Sequence, residues 1–191
     1  MLLKLAVGAG LVAFMLHWLI PAIRKRIEFE IELGAAVACL WGSMYLLWIR
    51  GRALVPLFSP PGWVVLGGFV LWLLSIALFI ASVVLLWKRG KPKKGWEETT
   101  ELSTGGLHGL VRHPMQLGVV LAALGIVLMK PAAPVVILCV PPAVLGVRAA
   151  CAEDAYNTSK FGGRYLEYMK TVPRLNLALG IWRRISRRGR A

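Results

Sequence analysis

Arg112, His113 and Pro114 stand together between a loop holding Gly105, Gly106 and Gly109 and an apolar run that begins at Met115. Proline is tolerated in a helix's first turn, so Pro114 predicts a helix N-terminus at the triplet, where free backbone N–H groups and the helix dipole favour an anionic group. Arg112 adds a planar fork for carboxylate or phosphate. The same residues would also serve simply as a headgroup anchor, and the glycines allow either a close approach of backbone to a ligand or an ordinary turn. A second constellation, Glu153-Asp154, precedes Asn157, Phe161-Gly162-Gly163, Tyr165 and Tyr168. Adjacent residues of a helix point about 100° apart, so the two acids cannot clamp one atom together. Glu153 and Asn157, at i and i+4, share a face. Glu153 would hold a cation or ribose hydroxyls; alternatively the two acids solvate a helix that is leaving a membrane. Arg148 precedes Glu153 by too much to be its natural partner within a helix.

The elements that must position these residues are set by composition. The chain has 191 residues, 58% of them hydrophobic, with a net charge of +14, and a mean hydropathy of +0.67. Its charges fall in short blocks between long apolar runs, the pattern of an integral membrane protein. The basic residues therefore speak of topology, not nucleic acid, since the aromatics lie inside or at the rims of the apolar runs instead of alternating with Lys and Arg. We expect an all-α, polytopic bundle of about five transmembrane helices in a single integral membrane domain, residues 1–191. Residues 1–95 supply three spans and 96–191 the motif-bearing half. The runs Leu2 to Ile20, ending at Pro21, Ile31 to Ile49 and Trp63 to Trp87 have spanning length. The first is read as a retained helix and not a signal peptide, being longer than the usual apolar region and lacking a cleavage site before Arg24.

Met115 to Val147 is interrupted by Lys130-Pro131, Pro134 and Pro141-Pro142. Two shortish helices in a hairpin fit best, the second kinked by its tandem prolines, with a cytoplasmic helical segment and basic tail beyond. Arg24, Lys25 and Arg26 follow the first span, Arg50 and Arg52 the second, and Lys88, Arg89, Lys91, Lys93 and Lys94 the third. The positive-inside rule then puts the first and third loops, the triplet and the tail with Arg183, Arg184, Arg187, Arg188 and Arg190 in the cytoplasm. Cys39, Cys139 and Cys151 read as buried free thiols. His17, His108 and His113 offer no tetrahedral ligand set, so no metal is expected.

Taken in order, the two constellations resemble the membrane methyltransferases that include isoprenylcysteine carboxyl methyltransferase and the phospholipid methyltransferases. The resemblance rests on Gly106-Leu107-His108, Arg112-His113-Pro114-Met115-Gln116-Leu117-Gly118, Glu153-Asp154, Phe161-Gly162, Tyr165-Leu166-Glu167-Tyr168 and Val172-Pro173-Arg174. Where the family places tyrosine, this chain has His108 and Gln116, and its second acid is Asp154 instead of Glu. The N-terminal half, with Leu16-His17-Trp18 and Pro60-Pro61-Gly62-Trp63, is similar to NnrU-type membrane proteins. The resemblance implies methyl transfer from S-adenosylmethionine to a lipid, isoprenoid or other small apolar acceptor arriving from the bilayer, at the cytoplasmic face of a prokaryotic cytoplasmic membrane. It implies a cofactor site made by Leu102, Gly106, Leu107, His108, His113, Pro114, Gln116, Glu153, Asp154, Tyr165 and Tyr168, with Arg112 as the catalytic group that orients an anionic acceptor. Two alternatives stay open: a membrane reductase using NADPH, and a non-enzymatic membrane accessory protein.

Overall fold

The structure is a computed structural model that describes residues 2–91 and 99–188. Lys93, Lys94 and Arg190, counted above among the cytoplasmic charges, lie outside the described residues. Among the described residues seven α-helices follow in order: α1 Leu2–Lys25, α2 Glu28–Arg50, α3 Gly62–Arg89, α4 Pro114–Met129, α5 Ala133–Phe161, α6 Gly163–Thr171 and α7 Leu177–Arg188, with a 3-10 turn at Gly106–Gly109 before α4. α1, α2, α3 and α5 are long and apolar enough to cross a membrane. α4 has 16 residues, roughly 24 Å at 1.5 Å per residue, just short of a bilayer's hydrocarbon thickness. The chain is an integral membrane helix bundle, as its composition predicts.

Two boundaries differ from the expectation, both at prolines. Pro21 does not end the first helix, which continues to Lys25 with the proline inside it. The second arm of the hairpin is not short either: α5 runs for 29 residues, with Pro141 and Pro142 internal. A helix-interior proline deletes one backbone hydrogen bond, at residue i−4, and its neighbours keep theirs. Strong flanking apolar packing is enough to carry the helix through, and Val135, Cys139, Pro142 and Gly146 of α5 are all buried. At 1.5 Å per residue α5 extends roughly 44 Å, more than a bilayer needs, so its C-terminal third projects beyond the hydrocarbon. Glu153 and Asp154 sit on that projection.

α3 and α4 are held together antiparallel by a seam of small residues. A Cβ on Gly125 would lie 2.6 Å from the Gly68 carbonyl oxygen, and one on Gly118 would lie 2.9 Å from that of Ser75. Gly68 and Ser75 are seven apart on α3, as Gly118 and Gly125 are on α4, so the small positions recur on one face and let the backbones approach. α2 packs along α5, and Phe29, Leu33, Met115, Val119, Ile126 and Val135 share one buried cluster. Between the α1–α2 pair and the α3–α4 pair lies an apolar groove of about 870 Å³, lined by residues such as Phe14, Val37, Trp41, Phe79 and Val119.

The loop between α2 and α3 meets the α4–α5 turn through Leu57 N–H, which donates to the Pro131 carbonyl at 2.7 Å. The ends of α1, α3 and α5 therefore gather at the other end of the bundle with the triplet. Cys39 is half-buried and Cys139 buried, but Cys151, expected to be buried, is exposed. It lies on the projecting part of α5, where its thiol accepts a hydrogen bond from Arg174 Nη1 at 3.1 Å.

Candidate active site

His113 is the N-cap of α4 and Pro114 its first residue, so the triplet does mark a helix start. Its backbone donors are taken up by the protein itself. The N–H of Arg112 donates to the Pro173 carbonyl at 2.9 Å and that of His113 to the Arg174 carbonyl at 3.2 Å. The C-terminal segment thus lies across the triplet.

One carboxylate gathers the surrounding side chains. Arg112 donates from Nε and Nη2 to the two oxygens of Asp154 at 3.1 and 2.8 Å, the paired geometry in which arginine binds a carboxylate most firmly. Tyr165 Oη donates to Oδ1 at 2.6 Å and Arg174 Nε to Oδ2 at 2.7 Å. His113 Nε2 lies 2.7 Å from Oδ1. Arg112 Nη1 donates in turn to the carbonyls of Met169 and Val172, at 3.0 and 2.7 Å. Asp154 is only 3% exposed, and its acceptor capacity is filled by four residues from three separate stretches of chain.

Glu153 occupies the other side of His113. Its Oε2 lies 3.0 Å from His113 Nδ1 and accepts from the Gln116 side-chain amide at 2.5 Å. The adjacent acids do not clamp one atom, in keeping with their angular separation. They hold one imidazole from its two nitrogens instead. Burial alone would lower the pKa of His113, but the charge of Glu153 and the hydrogen bonds to Asp154 and Glu153 outweigh it and raise the imidazole to about 9. At neutral pH the ring is an imidazolium with both N–H groups donating to carboxylates.

His108 behaves in the opposite way. It sits on the 3-10 turn, 5% exposed, with Nε2 3.4 Å from Ser82 Oγ and Nδ1 buried with no partner among the described residues. Burial pushes its pKa down to about 4, against the opposing pull of Glu153, so it is neutral at pH 7. Gly106 makes the turn possible, with φ +63°, where a Cβ would be strained. Tyr168 Oη secures the turn by donating to the His108 carbonyl. Gly162, at φ +59° and ψ −134°, reverses the chain between α5 and α6 and so returns Tyr165 and Tyr168 to the site. Burial and the nearby carboxylates raise the phenol of Tyr165 far above its ordinary range, and burial raises that of Tyr168 likewise.

These groups border a narrow, partly open cleft of about 60 Å³. Of the residues singled out from the sequence, Leu102, His108, Arg112, His113, Pro114, Gln116, Glu153, Tyr165 and Tyr168 line it. Gly106 and Leu107 form the turn that carries His108, and Asp154 stands behind His113 at the centre of the network. Asn157 also borders the cleft, on the face it shares with Glu153. Sequence reasoning missed Ser82, Ser103 and Thr99 as lining residues, and missed Arg174 as a partner of Asp154. Ser103 Oγ, like His108 Nδ1, is buried without a partner among the described residues. Arg148, set aside as a partner for Glu153, pairs with Glu32 of α2 at 2.7 Å.

No curated protein and no solved structure matches the chain. The family comparison does match, to Phospholipid methyltransferase over residues 63–164. That stretch begins at α3, includes the whole α3–α4 seam, the triplet and the two acids, and ends just before Tyr165. It is more than half of the chain, and the protein therefore belongs to the phospholipid methyltransferase family of membrane enzymes.

Proposed function

We propose that the protein transfers a methyl group from S-adenosylmethionine to a lipid, isoprenoid or other small apolar acceptor, at a cleft facing the cytoplasm of a prokaryotic cell. The observation that carries this reading is the pairing of Glu153 and Asp154 on His113. Among the described residues both hydrogen bonds to Glu153 fall on Oε2, which leaves Oε1 for a ligand's ammonium or ribose hydroxyls. The donor set suits such a cofactor. Among the described residues Ser103 Oγ and His108 Nδ1 are buried polar atoms with no partner, a condition that costs on the order of 1–3 kcal/mol per group and is relieved when a ligand supplies the missing bonds. When bound, S-adenosylmethionine supplies an electrophilic methyl on a sulfonium.

The residues then act mainly by placement, since an in-line displacement gains most from alignment and needs no covalent protein intermediate. Glu153, steadied by Gln116 and His113, holds the cofactor's polar groups. Leu102, His108, Pro114 and Asn157 shape the wall beside them, and Tyr165 and Tyr168 close the tail side. Arg112 has most of its donors committed to Asp154, Met169 and Val172, so its part is to fix His113 and the C-terminal segment and, through them, the acceptor's approach. The apolar groove between the helix pairs suits an acceptor with a hydrocarbon body.

Calorimetry on the purified full-length protein tests this reading. S-adenosylmethionine or its demethylated product should bind, and Glu153→Gln should weaken binding at least tenfold, the value of one charge-assisted hydrogen bond of roughly 1.5–3 kcal/mol. No heat with either ligand, or unchanged affinity in Glu153→Gln with the fold intact by circular dichroism, would overturn it.

A further inference from the structure

α7 places Ala178, Ile181, Trp182 and Ile185 at i, i+3, i+4 and i+7, a single stripe along one side. All four are exposed, Trp182 and Ile185 at 65% each. Arg183, Arg184 and Arg187 occupy other sides of the helix. Arg184 Nη1 lies 3.5 Å from the Gly106 carbonyl oxygen and Arg187 Nη2 3.4 Å from that of Thr171, both at the outer limit of a hydrogen bond. Arg184 and Arg187 therefore reach back toward the protein, while the stripe is left exposed.

The start of α7 fixes where that stripe lies. Leu175 and Leu177 pack with Leu117 and Leu121 of α4 and Leu78 of α3, side chains of helices that enter the membrane. Gly180 is pressed against the Leu110 carbonyl, so tightly that no Cβ would fit. A helix that begins against the flank of spanning helices, with an apolar stripe on one side and arginines on others, has the design of a segment lying in the plane of the bilayer interface. Its charge selects anionic headgroups.

α7 is also tied to the site. Asn176 caps it, its Oδ1 accepting from Leu179 N–H at 2.9 Å, and the residues just before are Pro173 and Arg174, whose carbonyls accept the backbone N–H groups of Arg112 and His113. We propose that α7 docks on an anionic bilayer surface on the side of the cleft, and that this docking holds residues 172–174 against Arg112 and His113. The partner is lipid with negatively charged headgroups. The docking stands apart from methyl transfer and does not rest on it.

Hydrogen exchange on the full-length protein in nanodiscs tests the proposal without any methyl donor. Discs of pure phosphatidylcholine are compared with discs containing one-third phosphatidylglycerol. An arginine at such a surface is worth about fivefold in partitioning, so three give on the order of a hundredfold. Amides of α7 and of residues 112–113 should exchange more slowly on the anionic discs, by up to that factor, and 0.5 M salt should erase the difference. Replacing Arg183, Arg184 and Arg187 together by Gln should abolish the lipid effect, and replacing all three by Lys should keep it. Equal exchange on both lipids would overturn the proposal. So would loss of the effect in the Lys variant, which would assign the arginines to the carbonyl contacts alone, or protection that depends on two copies sharing a disc, which would assign the stripe to a second copy of the chain. Methyl-donor binding, measured separately, can fail with this result unchanged.

Discussion

Asp154 is the residue on which most depends, because two arginines, a tyrosine and an imidazolium converge on one buried carboxylate. Removing its charge leaves Arg112 buried without its carboxylate and His113 with Glu153 alone, a change that costs about 3–5 kcal/mol. Asp154→Asn should therefore lower the thermal midpoint in detergent sharply, whereas Glu153→Gln, next to a more open space, should lower it much less. The two histidines set a pH window. His113, held up at about 9 against an ordinary 6.5, contributes stability that is complete below about pH 6.5 and lost as pH rises through 9. His108, pushed down to about 4, contributes stability present above about 6.5 and lost as pH falls through 4. The thermal midpoint should thus be highest near pH 6.5, and His113→Gln should flatten the alkaline fall. At this scale the sequence made the grouping legible: the triplet, the acid pair and the tyrosines do meet. Their division of labour was not. Nothing in the adjacent letters Glu153-Asp154 says that one acid faces a cleft and the other is saturated by Arg112 and Arg174, because that depends on a segment some twenty residues away returning across the triplet.

Among the elements, the α3–α4 seam lies inside the family match and leaves little room for change. Gly125→Val would drive a branched side chain against the Gly68 carbonyl, 2.6 Å from the first added carbon. Overpacking of this kind costs about 1–3 kcal/mol or more. The neighbouring Gly67→Ala meets nothing within 4 Å and should be neutral or slightly stabilising. Thermal unfolding of the two variants in the same detergent separates a packing seam from a general need for glycine. The spans were readable from apolar length, and their ends from charge. The exceptions were Pro21 and Pro141-Pro142, prolines inside helices that continue past them; at Pro141-Pro142 local helix-breaking chemistry lost to packing along α5. The small-residue seam could have been found as a seven-residue recurrence of Gly68 and Ser75, Gly118 and Gly125, but such spacings are common in apolar helices, and only the partner helix gives them meaning.

For the whole molecule, the alternation of helices and the bond between Leu57 and Pro131 set two ends, one with the α2–α3 loop and one with the cleft. The positive-inside rule predicts that the cleft end faces the cytoplasm. A single cysteine at Val55, 82% exposed, in a chain whose own cysteines are replaced by serine, should react with an impermeant maleimide in intact cells. One at Ser186 should react only after permeabilisation. The reverse pattern would invert the orientation. Membrane class follows from composition and the place of the cleft from the motifs, while the groove between the helix pairs appears only once both pairs are packed. The convergence on Asp154 also has a consequence for biosynthesis. Its partners Tyr165 and Arg174 are made after it, and at about 5–20 residues per second the stretch from Asp154 to Arg174 takes roughly one to four seconds to synthesise. During that interval Arg112, His113 and the two acids have no C-terminal segment to complete them, so the spans can be in the bilayer before the cleft exists. A ribosome paused between those positions would leave an inserted but unassembled chain, its charged residues open to whatever surveys the membrane for unfinished proteins.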